Sequence, residues 1–153
     1  MELVLLEQSD KVSIYSVQKD GAEYSEFEKF LLSHRDDYSS DIARIMYRLD
    51  KIKEDGCFDR HFRYAGKYRD RTFELPSKLD TITLRVFCIV LSEHIVILGN
   101  GGVKTTDTYN KDPWLNSCEL EMQRVDSVIK KGEATGKIAI NGKILEGDLS
   151  FDL

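Results

Sequence analysis

Leu84-Arg85-Val86-Phe87-Cys88-Ile89-Val90-Leu91, then Ser92-Glu93-His94, then Ile95-Val96-Ile97-Leu98 is the stretch that decides the fold. Two runs rich in β-branched and aromatic residues flank a short polar link, which reads as two strands. A link that short joins antiparallel neighbours, since a parallel pair needs a long crossover. Neither run alternates with polar residues, so both strands are expected to be covered on both faces. The rest of the chain must therefore supply apolar surfaces for two sides of a sheet.

Upstream, residues 62–64 and 71–75 read as two further short strands, the second stopped by Pro76, which cannot donate to a ladder. Before them lie two amphipathic helices. Ser25 with Glu28 forms a capping box, and Phe27, Phe30 and Leu31 share a face until His34-Arg35-Asp36-Asp37 ends the helix. Ile42, Ile45, Met46, Leu49 and Ile52 make the stripe of the second helix, with Ser39 or Ser40 as its cap and Gly56 as its stop. At the N-terminus, residues 3–6 and 12–17 read as a hairpin turned by Ser9-Asp10-Lys11. Downstream, Asp112-Pro113 opens a third helix whose stripe is Leu115, Cys118, Met122, Val125 and Ile129, with Gly132 as its expected end. Asn141-Gly142 then turns a C-terminal hairpin. The last residues are compatible with one more short strand.

The expectation is a single α+β domain over residues 1–153. Its core is about 12–132 and its hairpin extension 136–153. Two N-terminal helices pack on a twisted antiparallel sheet, and a third helix follows it. A chain of 153 residues is long enough to bury a sizeable core unaided. No window is apolar enough for a transmembrane helix, and the acidic start, Met1-Glu2, does not suit a signal peptide. Cys57, Cys88 and Cys118 are odd in number and form no Cys-x-x-Cys, which points to a reduced, cytoplasmic setting, with Cys88 and Cys118 in the core.

The formal net charge is −5, which excludes a molecule coated in basic surface. The sign is uneven, however. Arg60, Arg63, Lys67, Arg69 and Arg71 are opposed only by Asp59 and Asp70 within that run. Such a patch can track an RNA backbone while Tyr64 or Tyr68 stacks on bases, or it can be a solvated sheet edge with its aromatics turned inward. His61 lies among these cations with an ordinary pKa near neutrality, which makes it a candidate for proton transfer. Arg85 interrupts an apolar run and needs a partner, either an anion or Glu74 on a neighbouring strand. Gly99 to Lys104 reads as a glycine-rich turn that misses the Walker spacing, because Val103 separates Gly102 from Lys104. The histidines and cysteines show no metal-ligand spacing, so no metal and no cofactor is expected. Trp114 reads as an anchor of the third helix.

This order of elements resembles the RelE/ParE superfamily of bacterial toxins, especially its RelE- and HigB-like members. The resemblance is carried by residues 45–56, His61-Phe62-Arg63, Tyr68-Arg69-Asp70-Arg71-Thr72-Phe73-Glu74-Leu75, residues 84–89, and Ile95 through Lys104; it covers roughly residues 23–132. Where the family usually has Glu-Leu-Arg, this chain has Glu74-Leu75-Pro76. The resemblance implies a ribosome-dependent mRNA endonuclease that needs no metal, held inactive by a cognate antitoxin. It implies Arg71, Arg85 and Lys104 for the phosphate, and His61, from its place in the basic run, is the candidate acid or base. It also implies a role for Arg69 beside Arg71 and a stacking Tyr109, while RNA contacts from Arg60, Arg63, Lys67, Tyr68 and Arg69 are the reading of the basic run itself. The same fold in this superfamily also serves non-catalytic binders, such as ParE-like inhibitors of a topoisomerase.

Overall fold

The structure is a computed structural model that describes residues 1–64, 70–77, 80–104 and 112–153. The chain runs β1 (Glu2–Gln8), β2 (Ser13–Gln18), α1 (Glu26–His34), α2 (Ser39–Asp55), a 3₁₀ turn (Asp59–His61), β3 (Arg63–Tyr64), β4 (Thr72–Leu75), β5 (Leu84–Ser92), β6 (Ile95–Val103), α3 (Pro113–Thr135), β7 (Ile138–Asn141) and β8 (Ile144–Gly147). It is a mixed α+β fold. A six-stranded sheet has the order β1-β2-β6-β5-β4-β3, and β7 pairs β8 separately.

The two-sided cover anticipated for the central strands is present, and it follows the pleat. Leu84, Val86 and Cys88 of β5, with Val96 and Leu98 of β6, pack against Phe27, Phe30, Ile45, Leu49 and Ile52 of α1 and α2. Phe87 and Ile89, with Ile95 and Ile97, pack against Leu115, Cys118, Met122, Val125 and Ile129 of α3. Successive side chains point to opposite faces, so one apolar run feeds two cores. Each fully buried Ile, Leu or Phe contributes about 1.5–3 kcal/mol from its apolar area. The C-terminal hairpin joins the α3 side through Ile138 and Leu145, and the Tyr15 hydroxyl accepts from the Leu145 N–H at 3.1 Å. The tail adds to the β1 edge, where the Leu3 N–H donates to the Leu149 carbonyl at 2.9 Å.

Several expectations need correction. The sheet is not wholly antiparallel, because β2 pairs β6 parallel, Ser13 opposite Ile95 through Ser16 opposite Leu98. Two helices separate β2 from the later strands, and a crossover of that kind permits the parallel direction that a tight link forbids. Strand β6 does not end at Leu98 but runs through the glycines to Val103. A Cβ on Gly101 would stand 1.8 Å from the Arg85 carbonyl oxygen, so glycine here allows close strand approach and makes no turn. Helix α3 passes Gly132 and stops at Gly136, whose φ of 78° suits a left-handed cap. Gly132 instead makes room for Ile138, whose Cδ1 would meet a Cβ at 2.7 Å. Helix α2 starts after Tyr38 with no side-chain cap, so neither Ser39 nor Ser40 caps it. The capping box of Ser25 and Glu28 is present, as is the stop at Gly56.

All three cysteines are free and buried. Burial pushes the Cys57 and Cys118 thiols up to about 12 and Cys88 well above its usual value. They are inert core residues.

Candidate functional site

Arg85 lies between Leu84 and Val86, both of which face α1 and α2, so by alternation it points to the α3 side. It is buried. Its Nε is 3.4 Å from Glu74 Oε1, and its Nη1 donates to the carbonyls of Ile82 and Leu84. Glu74, on β4 opposite Phe87, is buried as well. Of the two sequence readings for Arg85, the neighbouring-strand ion pair is thus formed. Lys104 follows Val103, which belongs to the α1 and α2 side, so Lys104 leaves β6 toward the face of Arg85. Its N–H donates to Thr83 at 2.7 Å, continuing the β5–β6 register in which Arg85 stands opposite Gly102. Arg85 and Lys104 therefore share one end and one face of the sheet.

Helix α3 lays acids along this face, from Glu74 toward the start of β4. The Gln123 amide donates to Glu119 Oε1 at 3.3 Å and to Asp70 Oδ2 at 3.4 Å. Burial first, then the carboxylates of Glu74 and Asp70, push the Glu119 carboxyl up to about 7. A carboxyl at that value exchanges protons freely at neutral pH. Trp114 opens α3 with its indole over Gly102 and donates to the Gly101 carbonyl at 2.8 Å, while Asn100 Oδ1 takes the Gly101 N–H at 2.8 Å. Trp114 is still 53% exposed. It borders a groove of about 510 Å³ with Lys29, Leu32, His34 and Gly101.

The other expected site residues lie elsewhere. Arg71 precedes β4 at its far end, where its carbonyl accepts from Val90 at 3.0 Å. From Val90 back to Arg85 is about 16 Å at roughly 3.3 Å per residue. Its guanidinium is held by Asp126 at 2.8 Å and Glu133 at 3.0 Å, both on α3. His61 is on the α2 side of the sheet and only 2% exposed, so its surroundings are α2 and not solvent. Arg60 pairs with Asp55 at 2.9 Å and lies over the Phe58 ring. Arg63 donates to the carbonyls of Pro76, Ser77 and Asp80 at 3.0, 3.2 and 3.1 Å. Tyr64 is exposed and packs on Phe73 at 5.1 Å. Lys67, Tyr68, Arg69 and Tyr109 lie outside the described residues.

Sequence reasoning missed Glu119, Gln123 and Asp126. A signal existed for each. Glu119 and Gln123 are four apart and border the stripe at Cys118 and Met122. Asp126, four after Met122, falls inside the stripe, where a carboxylate must be paired.

No cluster of histidine, cysteine and acidic side chains among the described residues has the geometry to hold a metal ion. Among the same residues no helix is long and apolar enough to cross a membrane. What the fold and site define is a class: an α+β domain with helices on both faces of a mixed sheet, and an arginine–carboxylate cluster at one sheet end. Comparison with protein-family models, with curated proteins and with solved structures yields no match to this chain.

Proposed function

We propose that this chain is the toxin of a RelE/HigB-like toxin–antitoxin pair, an mRNA endonuclease that works on the ribosome in the cytoplasm without metal. The RelE-like arrangement of the fold and the cognate antitoxin partner belong to the same proposal. The observation that carries it is that Arg85 and Lys104 stand at the same end of the β5–β6 pair, with Glu119 on the helix that covers the Arg85 face. In this reading the ribose 2′-oxygen attacks the adjacent phosphorus, the O2′–P bond forms, and the P–O5′ bond breaks. Glu119 takes the 2′-hydroxyl proton, and the leaving 5′-oxygen takes one from solvent. Arg85 and Lys104 stabilise the charge on the equatorial oxygens, and the sheet holds them in place before reaction. Arg71 and His61 have no part in this step.

A second reading is favoured by one specific observation. Arg85 and Arg71 are already engaged by carboxylates of the same chain. That suits a non-catalytic binder, either a ParE-like topoisomerase inhibitor or an inert homologue. Induced expression in a bacterial host, with primer extension on a reporter mRNA, separates the two. Growth arrest with cuts that vanish when translation is blocked supports the nuclease. Arrest with intact mRNA, or no arrest, overturns it.

A further inference from the structure

His61 closes the 3₁₀ turn Asp59–His61 against α2. Its Nδ1 is 3.2 Å from Arg48 Nη1, and its Nε2 is 3.2 Å from Asp55 Oδ2. A guanidinium only donates, so Nδ1 must offer its lone pair to Arg48. Nε2 must then carry the ring proton and donate it to Asp55. The neutral imidazole in this one tautomer satisfies both neighbours, whereas a protonated ring would set an N–H against the Arg48 cation.

Arg48 is itself part of a larger clamp. Its Nη2 and Nε are each 3.0 Å from Asp80 Oδ2, and Arg44 Nε is 2.7 Å from Asp80 Oδ1. Asp80 is fully buried, and Arg63 donates to its carbonyl. The charged groups facing His61 are thus Arg48 and Asp55 from α2 and Arg60 from its own turn, with Asp80 one step behind Arg48. Just beyond His61, buried Phe62 packs on Phe73 of β4 at 5.8 Å between ring centroids.

We propose that His61 is a pH-sensitive clamp, which in its neutral form holds the 3₁₀ turn and the entry to β3 on α2 through Arg48, and which on protonation expels Arg48 and frees residues 57–64. Burial, then the Arg60 and Arg48 charges, hold its pKa below the usual 6.5, and Asp55 offsets this only in part. The unfolded chain therefore takes up the proton first as pH falls. The stability this residue contributes is complete above pH 6.5, is lost below it, and levels off under the folded-state value.

The test is amide exchange of residues 57–64, corrected for the intrinsic rate, between pH 7.5 and 5, in the full chain and in His61→Gln. Glutamine can accept from Arg48 and donate to Asp55 but does not titrate. In the wild type the opening equilibrium should rise roughly tenfold per pH unit within the titration window, while the variant stays flat. Imidazole ¹⁵N spectra of the wild type give a reading independent of whether the variant folds. They should show the Nε2–H tautomer at pH 7.5 and a midpoint below 6.5. An equal rise in the variant, the other tautomer, or a midpoint at or above 6.5 overturns the clamp.

Discussion

Asp126→Ala is the substitution whose cost the structure fixes best. Asp126 is a buried carboxylate in the apolar stripe of α3. Its Oδ1 accepts from Arg71 Nε at 2.8 Å, and its Oδ2 accepts from the Arg71 N–H at 3.2 Å and lies 3.2 Å from Lys130 Nζ. Removing one partner of a buried pair costs about 3–5 kcal/mol. Two features place this case at the low end. Arg71 keeps Glu133 at 3.0 Å, and its side chain is 23% exposed, so water reaches part of the guanidinium. The backbone N–H of Arg71 loses its acceptor at about 1–3 kcal/mol, and hydrogen bonds to charged groups are worth about 1.5–3 kcal/mol each. A net loss of about 3 kcal/mol is expected, or about 6–12 °C in Tm at this chain length. Urea unfolding followed by circular dichroism measures it. Arg71→Met with Asp126→Leu should recover most of the loss, because an apolar pair of similar volume needs no desolvation. A loss under about 0.5 kcal/mol in the single variant would refute the view that Arg71 is a structural tie between the β4 edge and α3.

Gly101→Ala drives a Cβ to 1.8 Å from the Arg85 carbonyl oxygen, and backbone on both strands must give way. A loss of more than about 3 kcal/mol is expected in the same unfolding assay, with tryptophan fluorescence reporting on the displaced Trp114. Glu119→Gln should move stability and activity in opposite directions. The folded-state pKa of Glu119 is raised from 4.5 to about 7, so its contribution is full below pH 4.5 and is lost as pH rises through about 7. The neutral amide escapes that loss. The variant should therefore match the wild type at pH 4 and exceed it at pH 8. On the proposed function, in which Glu119 takes the 2′-hydroxyl proton, RNA cleavage should fall by about 10²–10⁴. It should also lack the rise in rate between pH 6 and 8 that the proposed role of Glu119 requires of the wild type.

The parts of this fold legible in the sequence are those that local chemistry decides. The β5–β6 pair is set by a short polar link, the start of α1 by Ser25 and Glu28, and the last hairpin by Asn141-Gly142. The two-sided cover of β5 and β6 was readable because no polar residue interrupts the runs except Arg85. Glycines misled wherever their role is tertiary. Gly99, Gly101 and Gly132 carry turn chemistry in sequence, yet each is there for a neighbour distant in the chain: Met122, the Arg85 backbone and Ile138. The parallel register of β2 with β6 is equally non-local, since no residue near β2 encodes it. At the candidate site, Arg85 and Lys104 share a face for reasons that strand alternation makes plain. The pairing of Arg71 with Asp126 spans 55 positions in the chain, and only the packing of α3 on the sheet edge brings them together.

The same non-locality explains how a chain with net charge −5 carries so dense a run of cations. The described arginines of that run have their charge absorbed within the molecule. Arg60 is on Asp55, Arg63 on three carbonyls, and Arg71 on Asp126 and Glu133. Cations clustered in sequence are here a fold-building device that ties the β3–β4 edge to α2 on one side and α3 on the other. This bears directly on RNA. Each phosphate neutralised on a single strand contributes about −0.7 to the slope of log K against log salt. If Arg85 and Lys104 alone meet phosphate, the slope for association with a short RNA is about −1.4. If the whole run from Arg60 to Arg71 joins them, it is several times steeper. A shallow slope supports a local, preorganised phosphate site, and a steep one requires the ion pairs of Arg60 and Arg71 and the carbonyl contacts of Arg63 to open on binding.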